Sequence, residues 1–168
     1  GKAAEKELAP EFEKIGKMLE NAGTEVRNIS HQMIPKELEQ FGLIPAVEGM
    51  LSLNLENAPV QYQFEHSGFS ERIGSQIELV LFRVLQELVS NVIKHSKASQ
   101  LTVQLVKLKT HVVMNVSDNG IGFDVDRKEK NGIGLLNIAS RIDAIKGNLH
   151  YDSVSGKGTT ITIRTPLQ

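Results

Sequence analysis

The sequence predicts an α+β fold: a mixed sheet packed on helices and preceded by a long dimerisation helix. Three features of the 168 residues point there. Apolar residues recur at helical spacing from Leu8 to Met33 and again from Ile73 to His95. Five short stretches from residue 60 onward alternate apolar and polar with period two. Strands and helices come in a mixed order, which argues against a doubly wound parallel sheet.

Leu8, Phe12, Ile15, Leu19, Ala22, Val26, Ile29 and Met33 follow an unbroken 4,3,4,3 spacing, the seam of a coiled coil or helical hairpin. That seam predicts self-association, with a homodimer through residues 8–33 expected, although the seam alone does not distinguish a dimer from a higher oligomer. Gly16 and Gly23 lie off the seam and weaken the helix by about 1 kcal/mol each relative to Ala, so partner packing has to offset them. Pro35 should kink or end the helix, and FGLIPAVEGMLSL then starts a second apolar segment with Pro45 near its first turn. A boundary near Gln40 divides the chain into a helical segment, 1–40, and a domain, 41–168.

VQYQFEH (60–66) alternates like a half-buried strand, and the period becomes helical from Ile73 to His95. QLTVQLVKL and HVVMNVS read as two strands joined near Lys109 and Thr110. A Gly-punctuated loop follows, then a short helix from Leu135 to Ile145. NLHYDSV and TTITIRT close the chain as a hairpin over SGKG.

Composition narrows the function classes. A hydrophobic fraction of 40% with 23% charged residues marks a chain that folds. Nineteen basic and twenty acidic side chains leave a net charge of −1, which argues against a nucleic-acid backbone as the main ligand. There are no cysteines, so disulfides, thiolate nucleophiles and Cys-based zinc sites are excluded; a reducing, cytoplasmic setting is consistent with that. No apolar run approaches the roughly 20 residues that span a bilayer, and no signal peptide is visible. The chain begins at Gly1 without a methionine, which suggests a piece of a longer protein whose membrane anchor, if it has one, lies elsewhere.

The candidate chemistry lies downstream of Ile77. Ile77, Val80, Leu81, Val84, Leu85, Leu88, Val89, Val92 and Ile93 form an apolar stripe that should face the core. Arg83, Glu87, Asn91 and His95 share another face at i, i+4 spacing, with Ser90 and Lys94 beside them. Two readings are open there. One is a solvated face with Arg83 and Glu87 paired; the other is a carboxylate and a carboxamide, one turn apart, sharing a hydrated magnesium ion.

VSDNGIGF (116–123) is either a hairpin turn at Asn-Gly or a loop whose glycines let backbone approach a flat ligand while Asp118 accepts from an amino group. GIGLLNI (132–138) places Gly132 and Gly134 before a helix, where free N–H groups can hold phosphate. SGKGTT (155–160) is a hairpin loop or a further contact with the same ligand through Thr159. GKGT does not complete a P-loop, and neither GxG continues to GxxG, so any nucleotide is held by another geometry.

Taken together and in this order, ELVSNVIKH, DNGIG, GIGLLNI and GKGTT resemble the N, first, second and third Gly boxes of the Bergerat-type ATP-binding domain, shared by histidine kinases, gyrase and mismatch-repair ATPases. EVRNISHQMIPKELEQFGLIPAV resembles the second dimerisation helix of the sensor-kinase subfamily of nitrate sensors and the membrane-fluidity sensor, and the short span from Gly122 to Gly132 resembles that subfamily's ATP lid. The subfamily carries its phosphoacceptor histidine on a preceding helix, commonly with an acidic neighbour. His31 is therefore not the expected acceptor: Gln32 stands where an acidic residue would assist proton removal.

The resemblance implies a fold, cofactors and roles. Asn91 would ligate Mg²⁺, with Glu87 holding metal-bound water or serving as catalytic base. Lys94 and His95 would reach the phosphates of ATP, and Asp118 would accept from the adenine amino group. Gly120 and Gly122 would pass close to the nucleotide, Gly132 and Gly134 would hinge the lid, Leu135 would contact ATP, and Gly156, Gly158 and Thr159 would complete the pocket. The implied activity is transfer of the ATP γ-phosphoryl group to a histidine on a helix outside this chain, for relay to a response regulator. Without that helix the chain should bind ATP but not autophosphorylate. Two alternatives stand beside it: a serine kinase of the anti-sigma type, and a non-enzymatic nucleotide-binding or dimerisation module.

Overall fold

The computed structural model describes residues 35–123 and 133–167. The heptad seam, His31 and Gly132 lie outside them. Pro35 stands immediately before α1 (Lys36–Phe41), where its fixed φ suits a helix start and its missing N–H costs nothing. Gly42, at φ 88°, breaks the chain between α1 and α2 (Leu43–Leu55), and Pro45 falls in the first turn of α2. Leu38 of α1 is buried in the same core as Val47 and Leu51 of α2, so α1 is part of this compact unit.

β1 (Gln61–Ser67) leads into α3 (Ser75–Asn91), which runs on without a break into a π-helical turn, Val92–Ser96. β2 (Gln100–Lys107) and β3 (His111–Asp118) follow, then α4 (Ile133–Ala144) and the hairpin of β4 (Asn148–Ser153) and β5 (Thr159–Pro166). The five strands lie in the order β1-β2-β3-β5-β4. β1 and β2 are parallel, which requires a crossover, and α3 supplies it. All other pairs are antiparallel.

Period two divides the sheet into two chemical faces. Leu101, Val103, Leu105, Val112, Met114 and Ile163 point to the helices and are buried against Leu81, Val84, Leu85 and Leu88 of α3 and Ile138 and Ile142 of α4. The opposite face is polar and pairs with itself across strands: Asn115 Nδ2 donates to Thr162 Oγ1 at 3.1 Å, and Gln104 Nε2 to Glu65 Oε2 at 2.7 Å.

The α+β class and the two hairpins agree with the sequence reading. The differences are local. β1 is an edge strand, so Phe64 is its only half-buried residue and the other six are exposed. The helix expected from Ile73 starts at Ser75, after Arg72 and Ile73 have bonded the Glu78 carboxylate. The last helix covers Ile133–Ala144 rather than 135–145, with Lys146 in the left-handed conformation just past its end. Arg83, read as a member of a solvated stripe, is only 6% exposed. Its guanidinium donates to Gln86 Oε1 at 2.9 Å, and burial together with the nearby Arg141 of α4 lowers its pKa.

Candidate functional site

α3 crosses the helix-side face of the sheet and delivers its last turn to the ends of β3 and β5. There it opens a cleft of about 610 Å³, within the range of small-molecule pockets. Leu88 and Val92 of the helix and Val116 and Ile161 of the sheet supply apolar lining. Glu87, Ser90, Asn91, Lys94, His95 and Ser96 bring polar groups to one side, Asp118 and Thr159 come from the strands, and Gly134 and Leu135 come from the start of α4.

The π turn shapes this wall. Hydrogen bonds that reach i→i+5 widen the turn, so five residues between Ser90 and Ser96 line the cleft beside Val92 instead of only those four apart. Ser96 closes the turn: its Oγ donates to the Val92 carbonyl at 2.8 Å and accepts from Ala98 N–H at 3.0 Å. The Ser96 carbonyl then accepts from Ile121 N–H at 2.7 Å, which ties the end of the helix to the DNGIG loop.

That loop is no two-residue hairpin. Asn119 Oδ1 accepts from the Ser99 and Gln100 amides, both at 2.9 Å, so the loop is fixed to the start of β2. Asp118 Oδ1 accepts from Gly120 N–H at 2.8 Å. Burial raises the Asp118 pKa, and the Gly120 amide opposes that rise. Gly158, at φ 86°, lets the β4–β5 loop lie against β3: a Cβ there would stand 2.1 Å from the Asp118 carbonyl. Asp118, Thr159 and Ser153 consequently share one rung across β3, β5 and β4.

At the other end of the cleft α4 begins against α3. A Cβ on Gly134 would lie 2.7 Å from Glu87 Oε1 and 3.8 Å from Asn91 Nδ2, so the carboxylate and the carboxamide both reach this helix start.

Of the residues singled out in the sequence, Glu87, Asn91, Lys94, His95, Asp118, Gly122, Gly134, Leu135 and Thr159 line the cleft. Gly120, Gly156 and Gly158 do not line it but belong to its loops; Gly156 N–H donates to the Ile121 carbonyl at 2.6 Å. Sequence reasoning passed over Ser96, Ile121, Phe123 and Ser153, and named Ser90 only as a neighbour on the polar stripe. A pairing of Ser153 with Thr159 follows from the hairpin once its loop is set at 154–158, and that was the available signal.

The donor set fits a nucleotide with a hard cation. A half-buried carboxylate beside apolar walls suits a ring bearing an amino group. Among the described residues, no cluster of three or more His, Cys, Asp or Glu could hold a metal alone. Glu87 and Asn91 offer two oxygen ligands, the kind of partial shell that Mg²⁺ completes with phosphate oxygens and water.

Residues 76–168 match the family model described as histidine kinase-, DNA gyrase B- and HSP90-like ATPase. The chain belongs to this ATPase family. The family's ATPase domain implies ATP binding. Among curated relatives, the signal transduction histidine-protein kinase/phosphatase DegS of Bacillus subtilis (strain 168) is 40% identical over 139 residues, covering 79% of this chain and 36% of the relative. DegS of Brevibacillus brevis is 33% identical over 161 residues, 96% of this chain and 42% of the relative. The chain thus spans about two-fifths of the length of these relatives. Of solved structures, the Acinetobacter baumannii histidine kinase AdeS superposes with a TM-score of 0.65 at 20% identity, over 94% of this chain and 84% of that one. The catalytic domain of histidine kinase ThkA gives 0.63 at 19% identity, over 76% and 93%. At such identities these two establish the shared fold, and the family match establishes the ATPase domain as homologous to those of sensor histidine kinases.

Proposed function

We propose that this chain is the ATP-binding catalytic part of a sensor histidine kinase, which transfers the γ-phosphoryl group of Mg²⁺-ATP to a histidine on a helix outside the chain, for relay to a response regulator. The observation that carries the reading is the meeting, in one cleft, of Asp118 and Thr159 from the sheet with Glu87, Asn91, Lys94 and His95 from the end of α3. Asp118 would accept from the adenine amino group, and Val116 and Ile161 would contact the ring. Asn91, with Glu87 through water, would hold the metal. Lys94 and His95 would draw the phosphates to the exposed mouth.

Bound Mg²⁺-ATP supplies the phosphoryl group and neutralises its charge. Phosphoryl transfer depends mainly on position and charge, so the chain's own work is to bind, orient and leave the γ-phosphate open to the acceptor. Glu87, beside Asn91 and Gly134, is the group placed to take a proton. We assign residues 1–40 to the dimerisation region, the last of them forming most of α1 and packing into the catalytic unit, and 41–168 to the catalytic domain, with dimerisation through residues 8–33 and a cytoplasmic location. None of the described helices is long and apolar enough to cross a membrane.

Calorimetric titration of the chain with ATP, with and without Mg²⁺, tests the reading. Binding that strengthens with magnesium is expected, and Asn91→Ala should remove that gain. No binding of ATP to the folded chain would refute the assignment and favour a docking module.

A further inference from the structure

Ser153 is 9% exposed and has no role in the site as described so far. It sits on the rung shared by Thr159 and Asp118, and three partners converge on its Oγ. Phe123 N–H donates to it at 2.9 Å, the Gly158 carbonyl lies 3.1 Å away, and Thr159 Oγ1 is at 2.9 Å.

Counting protons orders the network. A serine hydroxyl has one proton and two lone pairs. The Gly158 carbonyl can only accept, so the Ser153 proton is directed there. The Phe123 amide can only donate, so it takes one lone pair. The second lone pair is left for Thr159, which must be the donor in the Ser153–Thr159 bond. Thr159 thereby commits its only proton to Ser153 and keeps lone pairs alone for other partners. Asp118, its neighbour on the rung, offers lone pairs as well.

We propose that Ser153 is a positioning residue that fixes Thr159 as an acceptor, so that the strand end of the cleft favours a purine edge bearing an amino donor over one bearing a carbonyl. The proposal rests on the nucleotide reading above. A 6-oxo purine would meet lone pairs from both Asp118 and Thr159. Turning the Thr159 proton toward such a ligand takes the Ser153 proton from the Gly158 carbonyl or breaks the Ser153–Thr159 bond, and either change disfavours binding.

The test compares ATP with inosine triphosphate, which carries a 6-oxo group, by calorimetry in Mg²⁺ on the full chain and its variants. The unmodified chain should prefer ATP. Ser153→Ala releases the Thr159 proton and should lower the ATP:ITP affinity ratio about tenfold, a change equivalent to the net worth of one hydrogen bond. Ser153→Thr keeps the hydroxyl and should keep the ratio. If Ser153→Ala does not fold by circular dichroism, Thr159→Val carries the test, because it removes the acceptor at nearly equal shape and must also lower the ratio. A folded Ser153→Ala, or in its place Thr159→Val, with the ratio within about twofold of the original, overturns the role of Ser153 and leaves the nucleotide reading standing. Failure of the unmodified chain to bind either nucleotide overturns the nucleotide reading itself.

Discussion

Asp118 has two opposed demands on one carboxyl group. Its Oδ1 holds the Gly120 amide at 2.8 Å, yet burial raises its pKa above the ordinary aspartate value. Because the folded value exceeds the unfolded one, its contribution to stability is full below the unfolded pKa and is lost as pH rises through the folded value. Ligand binding runs the other way: acceptance from an amino group needs the ionised form and should weaken as pH falls through the same raised value. Asp118→Asn retains an oxygen for Gly120 but replaces the other acceptor with a donor. At neutral pH it should melt no lower than the original, while ATP affinity drops by at least about tenfold and loses its acid-side pH dependence. Thermal denaturation and calorimetry at two pH values check both halves. Asp118 was legible in the sequence because an Asp-Asn-Gly-X-Gly string is rare outside turns and binding loops. Ser153 was not, because a serine within NLHYDSV carries no signal until its hairpin partner is fixed.

Elements were more legible than their junctions. Period-two alternation located all five strands, most clearly where one side is buried, as in β2, β3 and β5, and polar substitutions there are costly. For β1 only the expected half-burial differs, because this edge strand alternates while six of its seven residues stay exposed. The π turn was illegible: Val92 is buried but Ile93 is exposed, and an apolar pair at a helix end does not reveal whether the next hydrogen bond spans four residues or five. The start of α4 tests how closely two elements must fit. Gly134→Ala should leave stability unchanged or raise it by up to about 1 kcal/mol, since Ala is the better helix former and the clashing atom is the movable end of Glu87. The displaced carboxylate should weaken ATP binding about tenfold in Mg²⁺ and much less without it, as expected of a group that orients a metal's water shell. Urea unfolding paired with ATP titration separates the two effects; equal losses with and without magnesium would place Glu87 outside the metal's surroundings.

At the scale of the whole unit, an ion pair between a half-exposed arginine and a buried glutamate joins its first helix to the helix that carries the site. Glu78 of α3 is 2% exposed, and its carboxylate receives Arg72 Nε at 2.8 and 3.0 Å. The same guanidinium donates to the carbonyls of Leu38 and Glu39 at the end of α1, at 3.0 and 3.2 Å, and its side chain lies over Gly42. Arg72 therefore adds a side-chain cap to the end of α1, where Gly42 N–H already donates to the Leu38 carbonyl and no basic residue stands in the last turn, and it is anchored by a charge on α3. Arg72→Met leaves a carboxylate buried without its counter-charge and should cost about 2–3 kcal/mol, less than a wholly buried pair because nearly half of the Arg72 side chain is exposed to water. Adding Glu78→Leu removes the stranded charge and should recover more than half of that loss. In the double variant the Glu39 carbonyl regains no side-chain donor, and the Leu38 carbonyl keeps only the Gly42 amide. Amide exchange in 36–42 should therefore remain fast there even as the denaturant midpoint returns, whereas recovery of both together would mean that α1 is held by Leu38 packing and not by Arg72.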